Sequence, residues 1–184
     1  HYKTWCESID GVGRAQIYPL WNGPNTVKAV LIDSAGLPCS PAKVAEVQNY
    51  IDPATRSYTT TVNGLVYTVG DGLGEGVANL GSHFTAAAAN ALAVSVSFTA
   101  EWAGSVDKEN MKQQVQQGLA DYFRRLVLDS AEGTVPIIRL SAVGAILSAL
   151  PGLLDYHELR LNGESCNITP GEDDVPVLTE VQIA

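Results

Sequence analysis

The stretch best suited to chemistry is Gly70-Asp71-Gly72-Leu73-Gly74-Glu75-Gly76, because closely spaced glycines let a backbone approach a phosphate. A dinucleotide site also needs a strand before the glycines, a helix directly after them and an acidic residue about 20 positions on. Residues 78–85 offer no amphipathic helix and no lysine follows the glycines, so the segment reads as a flexible or tightly turned connector. Asp71 with Glu75, and Glu172 with Asp173 and Asp174, present oxygen ligands of the kind calcium takes, yet neither set has the alternating acids of a calcium loop. His83 and His157 stand far apart, with no His-x-x-x-His spacing and no neighbouring cysteine. The serines include no G-x-S-x-G elbow, and any Ser/His/Asp set drawn from them would be arbitrary. No catalytic, cofactor or metal residue is therefore expected, nor a small-molecule substrate.

Protein contact is a better use of the remaining conspicuous residues. Trp5 and Trp21 flank the first predicted strand near turns, where they either cover the edge of a core or anchor an interface. Asn63-Gly64 is the two-residue loop of a type I′ hairpin and would stand at its tip. Arg124 and Arg125 sit near the end of a long predicted helix, Arg139 lies beyond it, and such arginines are more often solvated or ion-paired than catalytic. Trp5, Trp21, Asn63, Gly64, Arg124 and Arg125 are accordingly the candidate partner contacts.

The elements that must position them fall into two groups. Over residues 92–102, Leu92, Val94, Val96, Phe98, Ala100 and Trp102 alternate with Ala93, Ser95, Ser97, Thr99 and Glu101, the signature of a strand with one buried face. A helical stripe, Met111, Val115, Leu119, Tyr122 and Leu126, follows to cover it, with Ser105 as its expected cap. Ser141 is expected to cap a second helix carrying Val143, Ile146, Leu147 and Leu150, before strands over residues 154–161 and 175–183. In the N-terminal part, residues 14–20 and 27–33 read as an antiparallel pair. Ser40-Pro41 then opens a helix with Val44, Val47 and Ile51 on its inner face, and Asp52-Pro53 closes it. The expectation is an α+β chain of two small α/β sandwich lobes, helices packed on small, mostly antiparallel sheets. Residues 1–53 form one lobe, residues 54–86 a connector with the hairpin and glycine-rich loop, and residues 87–184 the second lobe.

Composition narrows the function classes. With 46% hydrophobic and 17% charged residues, the chain can bury a real core. Its 11 basic and 20 acidic residues leave a formal charge of -9, a poor balance for neutralising phosphates, so nucleic acid is not an expected partner. Much of the acid is late: Glu158, Glu164, Glu172, Asp173, Asp174 and Glu180 face Arg160 alone, which reads as a solvated rim. Cys6, Cys39 and Cys166 are widely separated and read as reduced thiols, as in a protein made in a cytoplasm. No apolar window of about 18 residues exists to span a bilayer, so no membrane partner is expected.

The segment Gly11-Val12-Gly13-Arg14-Ala15-Gln16-Ile17-Tyr18-Pro19-Leu20-Trp21, with Thr26-Val27 leading into Val30-Leu31-Ile32-Asp33, resembles the baseplate J family of contractile-tailed bacteriophages such as Mu. The likeness continues in order through Val47-Gln48, Tyr50-Ile51-Asp52-Pro53, Gly152-Leu153-Leu154-Asp155-Tyr156, Leu159-Arg160-Leu161-Asn162-Gly163, Asn167-Ile168 and Val175-Pro176-Val177-Leu178. Each motif is a turn or a strand end, and the specificity lies in their sequence. Two features depart from the family pattern: Ala78-Asn79-Leu80-Gly81 replaces an Ala-Pro-x-Gly turn, and the hairpin over residues 59–69 looks like extra sequence. The resemblance covers the C-terminal part of a family member and implies a structural role. Similar proteins are wedges around the hub of a tail baseplate, assembled in the bacterial host cytoplasm and contacting copies of themselves and other tail proteins. Two rivals stand beside it: a carbohydrate- or surface-binding module of a phage tail using the connector and Trp21, and a small hydrolase with a site between the lobes.

Overall fold

The computed structural model describes residues 1–184, which divide into two compact units, His1–Asn90 and Ala91–Ala184. The chain is α+β, with helices laid on small sheets.

The first unit begins with a helix that the sequence reading missed, α1 (Tyr2–Glu7), which is too short to show a period and has no side-chain cap. Strands β1 (Val12–Pro19) and β2 (Thr26–Asp33) form the expected antiparallel pair, with Ile17 opposite Ala29 and Tyr18 opposite Lys28. Helix α2 (Pro41–Ile51) starts as its sequence dictates: the Ser40 hydroxyl accepts the Lys43 N–H and Pro41 occupies the first turn. The hairpin β3 (Tyr58–Val62) and β4 (Leu65–Val69) follows, and then β5 (His83–Ala88). β5 pairs parallel with β2, giving the sheet order β1-β2-β5. This strand corrects the reading of residues 54–86 as a connector, because its last part completes the first sheet and lies inside the first unit. Cys6, Ala29, Leu31, Val47, Ile51 and Phe84 make the core. Val44 is half-buried against that core, while Val47 and Ile51 are fully enclosed.

The second unit follows the expected order of strand, helix, helix, strand, strand. Strand β6 (Asn90–Trp102) is central, between β7 (Leu153–Leu161) and β8 (Asp174–Ile183). β7 runs antiparallel to β6, with Val96 opposite Leu161. On the other side Ala184 N–H donates to Phe98 O and Ala100 N–H donates to Ala184 O, the bonding pattern of parallel neighbours. Val94, Val96 and Phe98 project into a core with Val115, Leu119, Phe123, Val143 and Leu147.

Three details of this unit differ from the sequence reading. Helix α3 (Lys108–Leu128) is capped by Asp107, whose carboxylate accepts the Glu109 and Asn110 N–H groups, rather than by Ser105. Its fully buried stripe runs Met111, Val115, Leu119, Phe123, Val127, and Tyr122 and Leu126 are half-buried beside it. The buried arc turns because α3 meets helix α4 (Leu140–Ser148) as well as the sheet, and Gly118 lets Ile146 come close. Ser141 lies inside α4; the Leu140 N–H at its start is bound instead by Asn167 Oδ1 at 2.9 Å, from far along the chain.

Candidate protein-interaction surface

The hairpin is built locally. Asn63 and Gly64 have φ of 51° and 79°, the pair of positive values that a type I′ turn requires. Thr60 faces Tyr67 and Val62 faces Leu65 across the ladder. Tyr58, Thr60, Val62, Leu65, Tyr67 and Val69 share one face, half-buried except at Tyr58 and Leu65, and Thr59, Thr61, Val66 and Thr68 share the other, exposed one. From Tyr58 to Val69 there is no charged side chain, and the tip exposes Leu65 by 57% and Val66 by 69%. An uncharged, Thr-rich sheet face on a chain of charge -9 carries a low desolvation cost for a protein partner.

The base of the hairpin is held by side chains that act on backbone. Asp71 accepts the Thr55 N–H at 3.0 Å, the Arg56 N–H at 3.1 Å and the Thr55 hydroxyl. The Thr55 hydroxyl bond is the main reason that the Asp71 carboxyl titrates below its usual range, and these donors occupy both its oxygens. The buried Asp52 carboxylate accepts the Gly72 N–H at 3.0 Å and the Phe84 N–H at 2.9 Å. Gln48, also buried, accepts the Ala86 N–H at 2.8 Å and donates to Phe84 O at 2.9 Å and Asp52 O at 2.7 Å. Gln48 and Asp52, together with the Gly70 N–H that donates to Phe84 O at 2.8 Å, thus satisfy the outer edge of β5 where a fourth strand would otherwise pair.

This arrangement explains the glycine-rich loop. A Cβ on Gly70 would sit 1.9 Å from Asp52 Oδ2, and one on Gly76 would sit 2.4 Å from Ile51 O. Gly72 has φ of +68° and lies against the His83 ring, whose Nδ1–H donates to Gly70 O at 2.8 Å. Gly70 and Gly76 are there for close approach to the protein's own helix end, and the loop is tightly turned. In the Glu172, Asp173 and Asp174 set, Asp174 Oδ2 accepts the Gly171 N–H and closes a local turn.

The structure brings Trp21 and the hairpin together but leaves the other candidates apart. Trp21 is half-buried, 5.1 Å from the Tyr67 ring at 71°, and Lys28 Nζ lies 4.8 Å from its ring centroid. That ammonium occupies a face a sugar would need for stacking, which weighs against the carbohydrate reading. Trp5 is half-buried against the first core, 5.2 Å from Tyr2. Asn63 and Gly64 are exposed at the hairpin tip, while Arg124 and Arg125 are exposed near the end of α3 in the second unit. Cys6 and Cys39 are buried free thiols and Cys166 an exposed one; burial pushes Cys6 up to about 12 and Cys39 up to about 11, so neither is an available thiolate.

Two groupings escaped the sequence reading. Lys28 is surrounded by Tyr18, Trp21 and Tyr67, from three separate segments. Glu101, Asp155 and His157 cluster on the exposed face of β6 and β7, with His157 Nε2 3.3 Å from Glu101 Oε1. Both depend on strand register, which local spacing does not reveal.

Residues 1–68 match the Baseplate J-like central domain, and residues 94–184 match the Baseplate J-like protein C-terminal domain. The chain is 32% identical over 185 aligned positions to the phage-like element PBSX protein XkdT of Bacillus subtilis (strain 168) and 31% identical to the uncharacterized protein YqbT of the same organism. Each alignment covers 100% of this chain and 47% of the relative, so the chain spans about half the length of these proteins. With the central and C-terminal domains present in family order, the chain belongs to the baseplate J-like family, structural proteins of phage tail baseplates.

Proposed function

We propose that this chain is part of a wedge protein of a contractile phage or prophage tail baseplate and acts by protein–protein assembly. The observation that carries this reading is the succession of two baseplate J-like domains along nearly the whole chain. Its partners are other baseplate proteins and further copies of itself, met in the host cytoplasm and retained in the virion tail. The uncharged outer face of the hairpin, with Asn63 and Gly64 at its tip, is one contact surface, and Arg124 and Arg125 on α3 supply another of opposite character.

The test is immunogold electron microscopy of tails from induced host cells, using an antibody to this chain and particles lacking the gene as control. Label confined to the baseplate end of the tails is expected. Abundant protein in the lysate with no label on complete tails would overturn the proposal.

A further inference from the structure

The Lys28 ammonium lies 5.2 Å from the Tyr18 ring centroid, 4.8 Å from that of Trp21 and 5.3 Å from that of Tyr67. Tyr18 and Lys28 are direct cross-strand partners on β1 and β2, Trp21 belongs to the loop between those strands, and Tyr67 belongs to β4. Three of these four side chains are therefore fixed to the sheet, and the fourth comes from the hairpin. The loop carrying Trp21 is itself tied down: Thr26 Oγ1 accepts the Asn22 N–H and donates to Gly23 O, and Leu20 N–H donates to Thr26 O.

Two further observations indicate that the rings are placed for the ammonium. The Trp21 Nε1–H is buried with no hydrogen-bond partner, so the indole forgoes its one polar bond in an orientation that serves its π face. No carboxylate pairs with Lys28. Held by quadrupoles alone, a cation retains its attraction to the rings when the opposing surface is uncharged, as the hairpin is. A side-chain hydrogen bond accompanies this contact between the loop and the hairpin, from Asn22 Nδ2 to Thr60 Oγ1 at 2.9 Å.

We infer that Lys28 is a positioning residue: its ammonium, boxed by Tyr18, Trp21 and Tyr67, pins the β3–β4 hairpin against the first sheet so that Thr59, Thr61, Val66 and Thr68 face outward in a fixed orientation. This pin does not depend on the function proposed above, so it is tested on the chain alone.

The experiment is amide hydrogen exchange of the 184-residue chain with Lys28→Met, Lys28→Arg, Tyr67→Leu and the Lys28→Met/Tyr67→Leu pair. Lys28→Met is expected to speed exchange of the hairpin amides about tenfold while β1–β2 amides keep their protection, since a partly buried cation–π set of three rings is of that order. Lys28→Arg, which keeps the charge and stacks on rings, should stay within about twofold of the parent. Tyr67→Leu should match Lys28→Met, and the pair should add little to either, as for residues sharing one interaction. Unchanged hairpin exchange in Lys28→Met would overturn the inference. So would an equal acceleration through β1 and β2, which marks a general packing role, or full additivity of the pair.

Discussion

The two sheets of this protein share a plan and differ in how they are closed. In each, a central strand has an antiparallel neighbour on one side and a parallel neighbour on the other. The second unit relies on apolar alternation: Val94, Val96 and Phe98 point into one core, and α3 and α4 cover it. The first unit relies at the margin of its sheet on buried polar side chains. Gln48 and Asp52 engage Phe84, Ala86 and Gly72, and Gly70 and Gly76 have no side chain so that the chain can pass within reach. An apolar core tolerates substitutions that conserve volume, whereas a satisfied polar edge fails when any one member loses its geometry.

The comparison can be broken at either end. Phe98→Ala should cost the second unit about 3–5 kcal/mol, the range for truncating a buried phenylalanine, and Phe98→Leu much less. Denaturant unfolding read through each unit's own amides checks this. Gly70→Ala, a far smaller change, should still cost the first unit about 2–4 kcal/mol, because its Cβ displaces the Asp52 carboxylate and strands the Phe84 and Gly72 N–H groups. If Gly70→Ala melts like the parent, the polar edge is not what closes that sheet. At α4 the same logic predicts about 1 kcal/mol lost in Asn167→Ala and almost none in Ser141→Ala.

Titration separates the regions at smaller amplitude. The Asp71 carboxyl is depressed in the folded state, so its stabilisation is complete above the ordinary aspartate value of about 3.9 and is lost as pH falls through its folded value. Acidification should therefore loosen the resonances of Tyr58 and Tyr67 in the parent, and Asp71→Asn should lose that pH dependence. Cys6 and Cys39 are raised, so their contribution is complete below the ordinary thiol value and is lost as pH climbs toward about 11 and 12. In the native chain at neutral pH a thiol reagent should modify Cys166 and reach the other two after unfolding. Rapid native labelling of Cys6 would contradict its burial.

What was legible in the sequence was whatever a few adjacent residues decide. Asn63-Gly64 determines its own turn, Ser40-Pro41 starts α2 from within, and the alternation over residues 92–102 needs no partner to be recognised. The hidden features are made by register and distance. β5 reads Ala-rich and unpatterned until β2 lies beside it in parallel, Asn167 caps a helix that Ser141 advertises, and Lys28 meets Tyr67 only after the hairpin folds back. The glycine-rich loop was legible as a turn, but the reason for its glycines was not, because Asp52 and Ile51 approach them from another element.

The most direct measurement of the polar-edge account is the amide exchange of Phe84 and Ala86 in the parent and in Gln48→Met. Both amides face the open side of β5, where an unpaired edge would exchange rapidly. The account predicts that both are protected in the parent to the level of the β2 amides, and that Gln48→Met releases Ala86 by more than tenfold while Phe84, held by Asp52, stays slow. Fast exchange at both positions in the parent, or no change at Ala86 in Gln48→Met, would contradict it.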